Sequence, residues 1–322
     1  MKTSTSRILT THTGSLPRNE AMQDLLRTRQ DRLELDMDVF AAETENAVAE
    51  VTQKQMDIGI DVINDGEQGR AQYATYVKDR LTGFDGELKN RARRRLDDEE
   101  FPEFAARQGP SSRYIPQPAC TGPIAWSDWP AVQRDIDRLK AAAEKAQAEE
   151  FFMTSASPGV IANFLPNEYY ADEEAYLYAL AEVMKDEYKA IADSGLLLQL
   201  DCPDLAMTRM SQFSNLSDDE FVKIVELHVE VINYALQDIP EDRTRLHLCW
   251  GNTEGPHHHD IPLKSIVNAV LKARPWACPS RAPTPVTPTN GGSGKTSNFP
   301  KARSSSPGCW TPPPTSSSIL NW

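Results

Sequence analysis

The chain has 322 residues and a formal net charge of -13, with 34 Lys and Arg against 47 Asp and Glu. That acidity argues against nucleic acid or an anionic membrane surface as the main partner, and no apolar run approaches the roughly 18 residues of a membrane span. With 39% hydrophobic residues the chain has enough apolar side chain to bury a core, which excludes wholesale disorder.

The N-terminus "MKTSTSRILTTHTG" lacks the apolar stretch of a signal peptide. Five cysteines without paired spacing suit a reducing compartment, so the expected location is cytoplasmic. "RILTTHTGS" (7–15) predicts a strand ending in a Gly-Ser turn. "RNEAMQDLLRTRQDR" and "MDVFAAETENAVAEVTQKQMDIG" predict helices, the second with apolar positions three and four apart. "IDVINDGEQGR" is a strand running into a polar loop. Residues 84–113 are charged and aperiodic, and predict an excursion or lid over one end of the fold.

"YIPQPACTGPIAW" (114–126) is strand-like. "DWPAVQRDIDRLKAAAEKAQAEE" predicts a helix and "FFMTSASPGVI" a strand. "DEEAYLYALAEVMKDEYKAIADSG" predicts a helix stopping at Gly195. "LLLQLDCPDLA" is an apolar strand with an acidic end. "SDDEFVKIVELHVEVINYALQDI" is a helix with an N-cap signal at Ser217, and "TRLHLCWGN" is the next strand. Strand alternating with helix about six times implies parallel strands with helical crossovers. Ser15, Glu67, Asp201, His247 and Cys249 all fall at strand C-terminal ends, the face that carries chemistry in a (β/α)8 barrel. The expected fold is therefore an α/β (β/α)8 TIM-type barrel.

After Arg274 the character changes. Residues 275–322 contain no Asp or Glu and are dominated by Pro, Ser, Thr and Gly. A disordered tail and a shifted reading frame both give such composition. The frameshift is preferred, because the helix 261–275 leads into the tail before enough strands have passed to close a barrel. The chain thus divides into a barrel domain over 1–274, lacking its last strands, and a tail over 275–322.

His247 and Cys249 flank Leu248 on a strand, so both side chains point to one side. An imidazole nitrogen and a thiolate are natural zinc ligands. A lone H-x-C is more often packing than a metal site, but here it ends a strand and shares its face with other polar strand ends. The run "PHHHD" (256–260) reads as a loop, since three adjacent histidines cannot all face one ion. His12, beside the Thr-Gly-Ser turn, is a further candidate to line the site.

"THTGSLPR", "DVINDGEQGR", "TGPIAWSDW", "LQLDCPDLA" and "LHLCWGN", in this order, resemble the catalytic domain of the cobalamin-independent methionine synthase family, and more closely its single-domain relatives. The resemblance covers roughly residues 7–274. It implies a (β/α)8 barrel whose zinc binds the thiol of homocysteine, with a methyl group passing from 5-methyltetrahydrofolate (polyglutamate) to the sulfur to give methionine. On its motifs, His247 and Cys249 are zinc ligands and Gly14 and Ser15 hold the amino-acid end of the substrate. Glu67 and Asp201 pair with its ammonium group, and Trp129, rather than Trp126, lies against the pterin. The implied partners are a small-molecule thiol and a methyl donor, with no nucleic acid, membrane or obligate protein partner.

The chain also departs from the family. Asp201-Cys202-Pro203 stands where the family reads Asp-Glu-Pro, and Met207 falls near an expected folate-contacting glutamate. The remaining zinc ligands, a glutamate and a second cysteine, and a catalytic histidine belong to strands that the tail replaces. Cys278 and Cys309 lie in the tail without a matching context. Two alternatives follow: a related zinc thiol alkyltransferase using another thiol or donor, and a catalytically dead truncated member.

Overall fold

The computed structural model describes residues 1–279 except 3, 5, 90–94, 108–115, 146–147 and 252–256, and only the backbone of Trp276–Pro279. Most of the segment read as a tail therefore lies outside the described residues.

Five strands form one parallel sheet in the order β1 (Val62–Ile63), β2 (Glu150–Ala156), β3 (Leu197–Asp201), β4 (Thr244–Leu248) and β5 (Trp276–Pro279). A parallel bridge from Thr11 to Val62 places the N-terminal segment beside β1. Spatial order thus follows chain order, as expected when each strand is followed by a helical crossover. This is an α/β fold with a parallel sheet. Closure into an eight-stranded barrel does not occur among the described residues.

The helices are α1 (Glu20–Gln30), α2 (Met37–Asp57), α3 (Leu96–Glu100), α4 (Pro102–Arg107), α5 (Trp129–Glu144), α6 (Pro158–Phe164), α7 (Glu173–Asp193), α8 (Asp218–Ala235) and α9 (Leu263–Val270). Their starts are written in side chains. Asn19, Asp36, Asp128, Asp172 and Ser217 each accept a bond from a first-turn amide, and Ser217 with Glu220 completes a reciprocal capping box. Gly195, at φ +95°, follows the end of α7 as its position after the helical periodicity required. None of the described helices is long and apolar enough to cross a membrane.

Three expectations change. The strand at 7–15 reduces to the Thr11 bridge, because the carbonyl of Thr10 already accepts Asp61 N and Val62 N and its amide donates to Asp61 Oδ2 at 2.7 Å. The described part of 114–126 makes only isolated bridges and no strand of the main sheet, since β1 pairs directly with β2. Pro116, Pro118 and Pro123 remove the amides a central strand needs. The strand in "FFMTSASPGVI" stops at Ala156, where Ser157 caps α6 and Pro158 fits its first turn. Meanwhile β5 supplies a strand just beyond the expected boundary at 274.

Along β3 and β4 the side chains alternate. Leu198, Leu200, Leu246 and Leu248 join the main core, which also holds Leu180, Met184 and Ile191 of α7, Val225 and Ile232 of α8, and Ile266 and Val270 of α9. The intervening residues take the opposite face, and that face is polar.

Candidate active site

Register builds the polar face. Gln199 stands opposite Arg245 and Asp201 opposite His247. Asp201 Oδ1 accepts a hydrogen bond from Gln199 Nε2 at 2.8 Å and lies 2.9 Å from His247 Nδ1. Gln199 also donates to the carbonyl of Thr13, and Arg245 Nε donates to Gln199 Oε1 at 2.9 Å. The Arg245 guanidinium rests 3.7 Å above the ring of Phe152. The N-terminal segment is thus tied to the polar face by side chains more than by strand pairing.

Burial alone would pull the pKa of His247 down, but the hydrogen bond and charge of Asp201, followed by Cys249, raise it to about 10. Cys249, just beyond β4, is a second hydrogen-bond partner of the imidazole and accepts the amide of Gly251 at 3.2 Å. Imidazole and thiol therefore meet, as their two-residue spacing required.

Glu67 reaches the same place from the loop after β1. Its φ of +55° and that of Gly66 at +60° lie in the left-handed region. Asn64 Oδ1 accepts the amide of Gly66 at 2.6 Å and Asp65 Oδ1 that of Glu67 at 2.9 Å, which hold this turn. The buried Glu67 carboxylate accepts hydrogen bonds from Ser15 Oγ and, at 3.0 Å, from Thr154 Oγ1. Gly14 packs directly against it: a Cβ there would stand 2.6 Å from Glu67 Oε1. Burial, then the charge of Asp201, raises the pKa of Glu67, while Ser15 and Arg70 oppose the rise. The two carboxylates are thus close enough to repel, and a cationic group near them would favour the charged form of Glu67.

The structure brings Gly14, Ser15, Glu67, Asp201, His247 and Cys249 into one connected row. Trp129 lies in contact with a second tryptophan. It opens α5 and meets Trp126 edge to face at 5.0 Å, and Trp126 Nε1 donates to Val183 O and Asp186 Oδ2 of α7 at 3.2 Å. His12 is half-buried, and burial lowers its pKa. Cys202 is fully buried, its thiol directed to the carbonyl of Leu200 at 3.5 Å, and burial pushes its pKa well up. Its place is in the core.

Sequence reasoning missed the residues that hold the row. Thr154 and Arg70 secure the Glu67 side, with Arg70 Nη1 donating to Thr154 O at 2.6 Å. Gln199 and Arg245 secure the Asp201 side. A signal existed for two of them, since Arg70 closes the "DGEQGR" motif and Gln199 lies two residues before Asp201, hence on the same face.

The sequence of residues 8–93 matches the family model described as "Cobalamin-independent synthase, Catalytic domain". Among curated proteins, the methionine synthase of Sulfolobus acidocaldarius is 25% identical over 265 residues, covering 82% of this chain and 68% of the relative. That of Saccharolobus solfataricus is 24% identical over 270 residues, covering 82% and 69%. The likeness is to the cobalamin-independent methionine synthases. Solved structures agree at the level of fold. A B12-independent methionine synthase from Shewanella sp. W3-18-1, in complex with selenomethionine, superposes with a TM-score of 0.54 at 20% identity over 76% of this chain and 62% of that one. A putative vitamin-B12-independent methionine synthase from Listeria monocytogenes gives 0.51 at 23% identity, over 74% and 64%. The chain thus spans about two thirds of the length of its methionine synthase relatives.

His247 and Cys249 are suited to hold a metal. Asp201 bonds the Nδ1 side of the ring, and a carboxylate behind a histidine is a common support for a zinc ligand. Nitrogen and sulfur donors match zinc. The backbone of Cys278 in β5 stands opposite His247.

Proposed function

We propose that this chain is a methyltransferase acting on a thiol, most simply that of homocysteine, with 5-methyltetrahydrofolate as donor and methionine as product. The observation that carries the reading is the row that runs from Ser15 to Glu67, through Thr154 and its register partner Gln199 to Asp201, and on to His247 and Cys249. On this reading the sheet belongs to a (β/α)8 barrel that lacks its last strands within residues 1–274.

His247 and Cys249 would hold zinc, whose chemistry when bound is to keep a substrate thiol as the thiolate at neutral pH. Asp201 fixes the tautomer and aim of His247 through its bond to Nδ1. Glu67 and Asp201 together present negative charge to a substrate ammonium, and Gly14, lacking a Cβ, lets its backbone lie against the Glu67 carboxylate. Ser15 would turn its one hydroxyl hydrogen from Glu67 to a substrate carboxylate. Holding the amino-acid end at Ser15 and Glu67 sets the position of the sulfur, which lowers the entropic part of the barrier. In the transfer the thiol gives up its proton, the S–CH3 bond forms as the N5–CH3 bond of the donor breaks, and the departing pterin nitrogen takes up a proton. Trp129 is the proposed pterin contact, by resemblance alone.

A second reading rests on Met207. Its Cγ and Sδ both lie 3.5 Å from where a Cβ of Gly251 would stand, so a thioether packs over the turn beside Cys249. An apolar wall there suits an alkyl donor without a pterin's hydrogen-bonding edge. Zinc-loaded full chain, incubated with homocysteine and 5-methyltetrahydrofolate triglutamate, should form methionine, read by mass spectrometry. His247→Ala and Cys249→Ser should abolish it. Undiminished methionine in both variants would overturn the zinc-thiol reading. A methylated or alkylated product only with another thiol or donor would favour the second.

A further inference from the structure

The histidine run after β4 forms a second cluster, separate from the row just described. His257 has a left-handed φ of +55° and turns its Nδ1 to Asp260 Oδ2 at 3.0 Å. As the sequence implied, the three histidines do not all converge. The other two do: Nε2 of His258 and Nε2 of His259 lie 2.6 and 2.8 Å from the same Oε2 of Glu100. Their rings stand 4.0 Å apart between centroids, and Phe101 packs edge-on against His258 at 5.6 Å. Asp97, one turn before Glu100 on α3, completes the group, with Oδ1 3.4 Å from His258 Nδ1.

Asp97 supplies an independent observation. Its residue is 4% exposed, and neither carboxylate oxygen makes a hydrogen bond. Burying a carboxylate without hydrogen-bond donors is costly, and such groups are paired or bind cations. One ligand atom from each of Asp97, His258 and His259 lies within 4.8 Å of the others. Donors at zinc-ligand distance from one ion stand about 3.4 Å apart in a tetrahedron, so closure needs a movement of about 1 Å. His258 and His259 are partly exposed, which leaves them free to make it.

We propose that Asp97, His258 and His259, with Glu100 as a further oxygen donor, form a site for a divalent metal of the zinc class, fastening α3 to the segment after β4. Two imidazoles and two carboxylates form a borderline donor set, suited to zinc, cobalt or nickel more than to magnesium or calcium. The site shares no residue with His247 and Cys249 and does not depend on the proposed methyl transfer.

The test is cobalt binding by the full chain after metal removal, read as metal content and as absorption. Wild type should take up cobalt in a site whose spectrum lacks thiolate charge transfer. His258→Gln with His259→Gln should lose that component, and Asp97→Asn should lose it as well. Glu100→Gln should weaken it about tenfold or more. Cys249→Ser should leave it intact while removing any thiolate band, so failure at one site is told apart from failure at the other. A thiolate-free component that persists in the double histidine variant, or its absence from folded wild type, overturns the proposal. Should Asp97→Asn lose its folded circular dichroism spectrum, the double histidine variant decides alone, since its partly exposed side chains can be replaced without unfolding the chain.

Discussion

Two histidine groups flank the C-terminal end of β4, and they are built by different means. His247 stands on the strand itself. Parallel register puts Asp201 opposite it, and alternation puts Cys249 on the same face. His258 and His259 stand on a turn, and their partners come from α3, more than 150 residues earlier. The first group is nearly enclosed and its hydrogen bonds are made. The second is partly exposed, except for Asp97, which is buried and whose carboxylate oxygens make no hydrogen bond. A strand fixes side chains to within the play of the sheet, whereas a turn meeting a short helix must be held by something else. Substitutions in the two groups should therefore differ in kind.

The largest effect belongs to Asp201→Ala. It leaves His247 Nδ1 without its acceptor in a buried place and removes one of the two acceptors of the Gln199 amide, and breaking a buried pair of this kind typically costs about 3–5 kcal/mol. Urea unfolding should show the loss, with Asp201→Asn falling between the variant and wild type. A loss below about 1 kcal/mol would mean that the register alone holds His247. Gly14→Ala comes next. Its Cβ would meet Glu67 Oε1 at 2.6 Å and Thr154 Cγ2 at 3.1 Å, and overpacking of this kind costs about 1–3 kcal/mol. The same change should lower affinity for a substrate ammonium, measurable by calorimetry. A neutral effect on both would show that the turn can shift.

Glu67→Gln sharpens the comparison through pH. The folded carboxyl has a pKa raised above its ordinary 4.5, first by burial and then by Asp201. A group raised in this way binds more protons folded than unfolded, so its contribution is fully present below 4.5 and is lost as pH rises through the folded value. Wild type should therefore lose stability over that window relative to Glu67→Gln, which cannot titrate. Parallel curves of unfolding free energy against pH would mean that Glu67 is not desolvated.

What could be read from the sequence follows the same division. The runs "LLLQLD" and "RLHLC" encode a strand, its two faces and a polar end, because period-two alternation is a local property. Asp201, His247 and Cys249 are therefore visible as a group in the sequence, and Gly14, Ser15 and Glu67 through their motifs. The strand expected over 114–126 failed for a local reason that was also present, namely three prolines. The surroundings of Trp129 were not legible, because its ring meets Trp126, which is bonded to α7, and no pattern around it announces that helix. The pairing of Asp97 with the histidine run could not be read at all. It depends on how an aperiodic excursion lies across the loop after β4, and neither segment carries a period that would report it.

The smallest effect tests that last juxtaposition. Without added metal, His258→Gln with His259→Gln removes two partly exposed rings whose partner, Glu100, lies in solvent. Exposed pairs of this sort contribute little, because water and salt screen them and because holding flexible side chains costs entropy. The unfolding midpoint of metal-free protein should therefore hardly move. With zinc present, wild type should gain stability in proportion to the logarithm of free zinc above its dissociation constant, and the double variant should not. A site on a turn is then distinguished from a site on a strand by where its order comes from. His247 is ordered by the sheet before any ligand arrives, while His258 and His259 would acquire fixed geometry from the ion. If the metal-free double variant instead unfolds as readily as Asp201→Ala, the two groups are built alike, and the histidine pairing with Glu100 holds α3 in place without an ion.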